Sequence, residues 1–326
     1  MAKIWGITGG RRGNDVLVDG IAQALIRDMG GEYRLMHAGL SAPWKWLAPY
    51  RLAERGVAHD EQITPHIKSD VWPDMVIASG RQAAPHARFI KRASGGRVYS
   101  VFLQNPMINP KHFDFVWAPE HDQLRGPNVI STLLSPHAMT RDGLKTAGAA
   151  MKARLLPDNM SGKAVAVLIG GPNKVYPFTP DEMTRLAHGL ASIAAQGHYL
   201  MITLSRRSPE SYADSLRAAL PDGSYFLWDN VGDNPYPAML GLAEQIIVTG
   251  DSVNMVGEAC LPGVPVQVFA LRGGSAKFDR FHAELSAADM TRPFSNTLES
   301  WSMQAHNPTD EIALAIKNAY AAHKNI

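Results

Sequence analysis

The strongest constraint on the fold is an alternation. Short apolar runs ending in glycine-containing turns alternate, along the 326 residues, with stretches of helical periodicity. That is the pattern of successive βαβ units, whose parallel strands are buried on both faces and so read as near-continuous apolar runs. Strands are expected at Lys3–Thr8, Tyr33–His37, Met75–Ala78, Arg97–Leu103 and Phe115–Ala118, and again at Ala164–Ile169, Tyr199–Leu204, Tyr225–Trp228, Gln245–Thr249 and Val264–Phe269. Between them, Leu17, Ile21, Ala24 and Leu25 share one face of a helix over Val16–Met29, and Thr179–Gln196, Pro209–Leu220, Tyr236–Ala243 and Asp310–His323 behave alike. The fold class is α/β with a parallel sheet.

The length suits two domains. Pro, Asn, Ser and Gly interrupt two periodic regions at Leu155–Gly162, which sets the expected boundary at 157/158. An internal echo agrees: Lys3-Ile4-Trp5-Gly6-Ile7-Thr8-Gly9-Gly10 opens the first half as Ala164-Val165-Ala166-Val167-Leu168-Ile169-Gly170-Gly171 opens the second. Likewise Pro73–Gly80 is answered by Glu244–Asp251. Two such domains facing each other would line a cleft with the carboxyl ends of their strands, where ligands of open α/β sheets bind.

The net charge of +2 hides an asymmetry. Residues 1–156 carry 20 basic and 13 acidic side chains, whereas residues 157–326 carry 12 and 17. Halves of opposite sign imply different partners, and an anionic surface or acceptor is expected at the first. The single cysteine, Cys260, excludes a disulfide scaffold and a multi-cysteine metal site, and fits a reducing compartment. No apolar run approaches a spanning helix, and the first strand is too short for a secretory leader, so a cytoplasmic location is expected. In Leu40–Arg51, Trp44, Trp46 and Tyr50 stand among basic residues, a mixture that suits either a packed loop or peripheral contact with the inner face of an anionic membrane. Nucleic acid is not an expected partner, because the net charge is small and no binding motif occurs.

Three segments carry chemistry. Gly170-Gly171-Pro172-Asn173-Lys174 follows a buried strand; glycine lets backbone approach a phosphate, and Lys174 adds positive charge. Neither a Walker pattern nor a dinucleotide fingerprint is present, which argues against NAD chemistry. Ser205-Arg206-Arg207-Ser208-Pro209 ends a strand and opens a helix, where N–H groups and guanidinium forks favour an anion. Thr249-Gly250-Asp251-Ser252-Val253-Asn254-Met255-Val256-Gly257-Glu258-Ala259 joins a strand to a helix capped by Asp251 or Ser252, with Glu258 able to accept two hydroxyls of a ribose. Each segment also reads as an ordinary turn or solvated face. The twelve histidines form no His-x-x-x-His or His-Glu-x-x-His pattern, so no metal is expected. His121 stands between Glu120 and Asp122, where neighbouring carboxylates would favour its charged form.

The third segment, with Gly263-Val264-Pro265-Val266, resembles the donor-binding region of GT-B glycosyltransferases, and the chain as a whole resembles the mitochondrial fission ELM family, whose bacterial members are GT-B-like. Other matching stretches are Ile77–Arg81, Gln104-Asn105-Pro106, Ala118–Asp122, Leu168–Lys174, Thr203–Arg207 and Lys277–His282. The resemblance implies two Rossmann-like domains, 1–157 on the acceptor side and 158–304 on the nucleotide-sugar side, with the C-terminal helix in 305–326 packing back on the first. Carried over position by position, Gly170, Gly171 and Asn173 meet the donor phosphates, and Ser205 and Arg206 line the nucleotide end. Ser252 and Met255 offer helix-start N–H groups, and Glu258 holds the ribose. The family's turn after its first strand reads roughly Asp-Gly-Lys-Pro-Gly-His, whereas here it is Gly9-Gly10-Arg11-Arg12-Gly13-Asn14. Asn14 cannot act as a base, so Asp15 or His121 is expected to take that role.

The expected function is metal-independent transfer of a sugar from a nucleotide-diphosphate sugar, with no other cofactor, to an envelope or lipid-linked acceptor. A nucleotide-sugar epimerase of the same architecture and a non-catalytic, membrane-associated adaptor are the alternatives.

Overall fold

A computed structural model describes residues 1–324 apart from Ala38 and Asp229. The chain forms two compact units, Met1–Ala138 with Asn307–Ile326, and Met139–His306.

The first unit contains β1 (Ala2–Thr8), α1 (Arg12–Met29), β2 (Gly31–His37), α2 (Trp44–Leu47), α3 (Glu54–Val57), α4 (Thr64–Ser69), β3 (Met75–Ser79), α5 (Ala83–Ala93), β4 (Tyr99–Leu103), β5 (Phe115–Pro119) and β6 (Val129–Thr132). Its sheet is parallel, in the order β2-β1-β3-β4-β5-β6. Alternate residues feed opposite cores, as the two-residue period of a strand requires. Trp5, Ile7, Val76, Ala78, Phe102 and Val116 face one, while Ile4, Met75, Ile77, Val101, Leu103 and Trp117 face the other.

The second unit contains α6 (Arg141–Leu155), β7 (Ala164–Ile169), α7 (Pro180–Ala195), β8 (Tyr199–Leu204), α8 (Ser211–Ala219), β9 (Tyr225–Trp228), α9 (Tyr236–Leu242), β10 (Gln245–Thr249), α10 (Val253–Ala259), β11 (Val266–Phe269), α11 (Ala276–Ala287) and β12 (Arg292–Pro293). Its sheet is parallel as well, in the order β12-β11-β10-β7-β8-β9. Thr179 and Glu182 form a reciprocal capping box at the start of α7, which satisfies two otherwise orphaned N–H groups.

The helix α12 (Pro308–Lys324) belongs to the first unit. Ile312, Ala313, Ile316 and Tyr320 complete the core beneath α1, and Thr309 exchanges hydrogen bonds with the His137 backbone. At its far end the Lys324 ammonium lies 3.0 Å from an Asp74 oxygen. Burial alone would raise the Asp74 carboxyl, yet the Lys3 N–H, the Lys324 ammonium and the Tyr320 hydroxyl hold it below its ordinary 3.8. A carboxyl lowered on folding contributes stability that is present above its unfolded pKa and is lost as pH falls through the folded one. Melting temperatures from pH 6 downward should therefore fall below about pH 4, and Asp74→Asn should flatten part of that fall. An unchanged acid limb in the variant would contradict it.

The chain changes units at 138/139, upstream of the Pro-Asn-Ser-Gly stretch at which the sequence places the break. Helix α6 packs on α9 because two glycines let the backbones approach: a methyl group at Gly148 would lie 3.3 Å from the Gly241 carbonyl carbon, and one at Gly241 would strike the Leu144 carbonyl. Four basic residues move with α6. The first unit then carries 18 basic and 14 acidic residues (+4), the second 14 and 16 (−2), so the asymmetry keeps its sign but narrows.

In each sheet the chain reverses its direction of winding. The reversals lie between β1 and β3, and between β7 and β10. Crevices at such points, outside the carboxyl ends of the strands, are where open α/β sheets bind ligands.

Candidate functional site

In the second unit the loops after β7, β8 and β10 are locked together by Asp251, whose side chain is fully buried. Its Oδ1 accepts from the Thr249 hydroxyl at 2.7 Å, and its Oδ2 accepts from the Gly171 N–H at 3.1 Å and the Arg207 guanidinium at 2.9 Å. Thr249 Oγ1 in turn accepts from the Gly170 N–H at 2.8 Å. Arg207 also donates to the Gly171 carbonyl, and Ser208 to the Gly170 carbonyl. The two glycines are required by this crowding. A methyl group on Gly170 would collide with the Asp251 carboxylate, and one on Gly171 would sit 2.6 Å from the Arg207 carbonyl carbon.

Several residues expected at the donor phosphates are thus already engaged. The N–H groups of Gly170 and Gly171 bond to Thr249 and Asp251. Asn173 braces its own turn, accepting from the Val175 and Tyr176 N–H groups and donating to the Asp251 carbonyl. The Met255 N–H donates to the capping hydroxyl of Ser252 at 3.4 Å. Ser205 accepts from the Arg207 N–H and lies 3.2 Å from the Ser208 hydroxyl. Arg206 is exposed, and it is Arg207, its neighbour, that reaches the crevice loops. Residue order alone does not separate two adjacent arginines; the turn that aims one inward does. The exposed Lys174 and the half-buried Ser252 flank the same loops.

Glu258, on α10, is half-buried. Its Oε2 accepts from the Tyr236 hydroxyl at 2.7 Å, which orients the carboxylate and leaves Oε1 for a further donor. Burial raises the Glu258 carboxyl, against the pull of the Tyr236 hydrogen bond. Burial and then the Glu258 charge push the Tyr236 phenol well above its ordinary value, so it remains a donor. Tyr236 was recognised in the sequence only as the start of a helix.

His282 is a further residue that sequence reasoning left unassigned, although it closes one of the matching stretches. Its Nε2 donates to the Gly250 carbonyl at 2.8 Å, which leaves the buried Nδ1 as an acceptor without a hydrogen-bond partner among the described residues. Burial lowers its pKa, favouring the neutral ring. It lines a cavity of about 340 Å³ with Tyr176, Gly250, Asp279 and Arg292. Behind α10 the Cys260 thiol is buried, bonded to the Val256 carbonyl and pushed by burial up to about 12. The native protein should therefore resist a thiol reagent until denatured; stoichiometric labelling of the native state would contradict this.

In the first unit Asp15 lies on the first turn of α1. It accepts from the Thr8 hydroxyl, and its Oδ2 is 3.4 Å from His37 Nε2. His37 is 56% exposed at its side chain and Asp15 only 20%. His121, by contrast, is 5% exposed, with the Asp122 carboxylate 3.9 Å away. A base must reach the hydroxyl it deprotonates, so burial disfavours His121, and His37 is the accessible imidazole. The sequence did not single out His37, because its link to Asp15 spans two elements. Among the described residues no group of three or more His, Cys, Asp or Glu could hold a metal ion, and no helix is long and apolar enough to cross a membrane.

Two six-stranded parallel sheets, each with a switch point, and a C-terminal helix that returns to the first unit define a GT-B-like α/β protein. The chain belongs to the family described as Mitochondrial fission ELM1, whose sequence model matches residues 13–320. The mitochondrial fission protein ELM1 of Arabidopsis thaliana is 28% identical over 275 residues, which are 77% of this chain and 64% of the plant protein; the match thus spans less than two thirds of that relative. Among solved structures, a UDP-GlcNAc 2-epimerase from Methanocaldococcus jannaschii superposes with a TM-score of 0.58 at 11% identity, covering 97% of this chain and 99% of that one. The catalytic domain of starch synthase IV from Arabidopsis thaliana, bound to ADP and acarbose, superposes with a TM-score of 0.55 at 8% identity, covering 98% and 99%. These superpositions describe the shared fold.

Proposed function

We propose that the protein is a glycosyltransferase that binds a nucleotide-diphosphate sugar on its second unit and an acceptor on its first. The observation that carries the reading is Glu258, a carboxylate held by Tyr236 with one oxygen left over, on the helix that follows the switch-point strand β10. That oxygen suits the vicinal hydroxyls of a ribose. Arg207, Lys174 and the N–H groups of Val253 and Asn254 supply positive potential for the diphosphate. Gly170, Gly171, Asn173 and Asp251 act in this reading by holding the loops in shape, with Ser205 bracing Arg207.

The chemistry assigned to the first unit is proton removal. Asp15 orients His37 through Nε2, so Nδ1 takes the proton of an acceptor hydroxyl; the oxygen attacks the anomeric carbon, and the bond to the diphosphate breaks with its electron pair leaving on that group. Charge developing on the leaving diphosphate meets Arg207 and Lys174, and no metal is needed in this scheme.

Titration of UDP and ADP sugars by calorimetry tests the reading. Glu258→Gln should weaken nucleotide binding about tenfold or more, the value of a hydrogen bond to a charged group. Equal affinity for the variant would contradict it. Conversion of donor in the absence of acceptor, seen by NMR, would instead mark an epimerase.

Peripheral membrane contact is part of the same proposal. Trp46 and Tyr50 are 67% and 63% exposed, and the Lys45 ammonium lies 5.5 Å from the Trp46 ring centre. Such aromatic and basic side chains suit an anionic lipid interface. Trp46→Ala with Tyr50→Ala should lower sedimentation with anionic vesicles, and added salt should lower it further. Vesicle binding indifferent to both would count against it.

A further inference from the structure

The switch point of the first unit, between β1 and β3, holds a cavity of about 530 Å³, within the size range of small-molecule sites. Its lining combines two arginines, Arg11 and Arg81, with four amide side chains, Asn14, Gln82, Gln104 and Asn105, and contains no aspartate or glutamate. Asp15, the first carboxylate on α1, is engaged by Thr8 and His37 and is not part of the lining.

These groups remain available to a ligand. Arg11 precedes α1 without a side-chain cap bond and pairs with no carboxylate among the described residues. Arg81 donates one N–H to the Lys45 carbonyl at 3.0 Å and keeps the rest of its fork. Gln82 uses only its oxygen, accepting from the Leu40 N–H, and Asn105 likewise accepts from the Met107 N–H. The Asn14 amide lies directly against Gly80, where any β-carbon would strike it, so glycine at that position makes room for Asn14 in the pocket wall. Gln104 and Met107 are held at φ +83° and +59°, in the left-handed region that non-glycine residues seldom occupy outside turns and functional sites.

We propose that this pocket binds a phosphorylated carbohydrate, its phosphate seated between Arg11 and Arg81 and its hydroxyls on the amides. Two guanidinium forks and the first N–H groups of the 18-residue α1 make three separate sets of donors, which suits the three terminal oxygens of a phosphate better than the two of a carboxylate. Amides both donate and accept, as sugar hydroxyls require. The assignment deepens the transfer reading, on which it rests only for the ligand's role as acceptor; the existence of the site does not depend on it.

The probes are glucose 1-phosphate, glucose, glucuronate and UDP, titrated separately into the full-length protein by calorimetry at fixed ionic strength. Glucose 1-phosphate should bind, and Arg11→Ala and Arg81→Ala should each weaken it about tenfold while UDP affinity stays within about twofold of wild type. Arg81→Lys, compared with Arg81→Ala by thermal melting, separates loss of the fork from loss of the fold. Equal binding of glucose, preference for glucuronate, or insensitivity to both arginine substitutions would overturn the proposal. Loss of UDP together with the sugar phosphate would also overturn it, by reducing the pocket to part of one nucleotide site. Absence of UDP binding beside arginine-dependent sugar phosphate binding would sink the transferase reading and leave this site standing.

Discussion

Asp251→Ala is expected to destabilise the second unit by about 3 kcal/mol. Three donors lose their acceptor at once: the Thr249 hydroxyl, the Gly171 N–H and the Arg207 guanidinium. Removing one member of a buried charged network costs about 3–5 kcal/mol, chiefly through the groups left unsatisfied. The lower end applies here, because Arg207 is 42% exposed and water can recover part of its solvation. For the same reason Arg207→Ala should cost only about 1 kcal/mol, and the double variant should be less destabilised than the sum of the two singles. Urea unfolding at neutral pH measures all three. A loss under about 1 kcal/mol in Asp251→Ala would show that the loops are held by something else.

The largest expected effect on turnover is at His37. If this imidazole removes the acceptor proton, His37→Ala should lower kcat about 10²- to 10⁴-fold, with nucleotide affinity unchanged because the donor residues lie in the other unit. Asp15→Asn should lower kcat by a smaller factor: the amide can still accept from Thr8 but no longer favours the Nε2–H tautomer that leaves Nδ1 free as the base. Transfer by His37→Ala at the wild-type rate, measured on the same donor and acceptor, would remove His37 from the mechanism and return the role to Asp15 or His121.

What could be read in advance followed from how strongly each element writes its burial into the sequence. The strands β3, β4, β5, β7 and β10 are buried along their whole length, so unbroken apolar runs announced them. β6 was missed because it is a short edge strand, Val-Ile-Ser-Thr, with three half-buried positions. Helix α5 was missed because its buried face includes His86 and Arg88, which side-chain partners satisfy: His86 bonds to Asp60, and Arg88 to Glu54. Those polar residues hide the apolar period. Helix α6 buries only Leu144, Gly148 and Leu155, and its close packing on α9 depends on glycines, which carry no hydrophobic signal. The unit boundary was misplaced with it.

The candidate site was legible as segments rather than as contacts. The loops after β7, β8 and β10 were identified, and they do meet at the switch point. Sequence order could not reveal that Asp251 occupies the N–H groups of the glycine loop, that Arg207 rather than Arg206 turns inward, or that Tyr236 positions Glu258. Each of those depends on a hydrogen bond between residues at least 22 positions apart.

The most direct test of the central claim is a crystal structure with UDP or ADP soaked in. The account predicts a ribose with a hydroxyl within hydrogen-bond distance of Glu258 Oε1 and a diphosphate beside Arg207 and the start of α10. Nucleotide bound away from Glu258, or no nucleotide at saturating concentration, would contradict it.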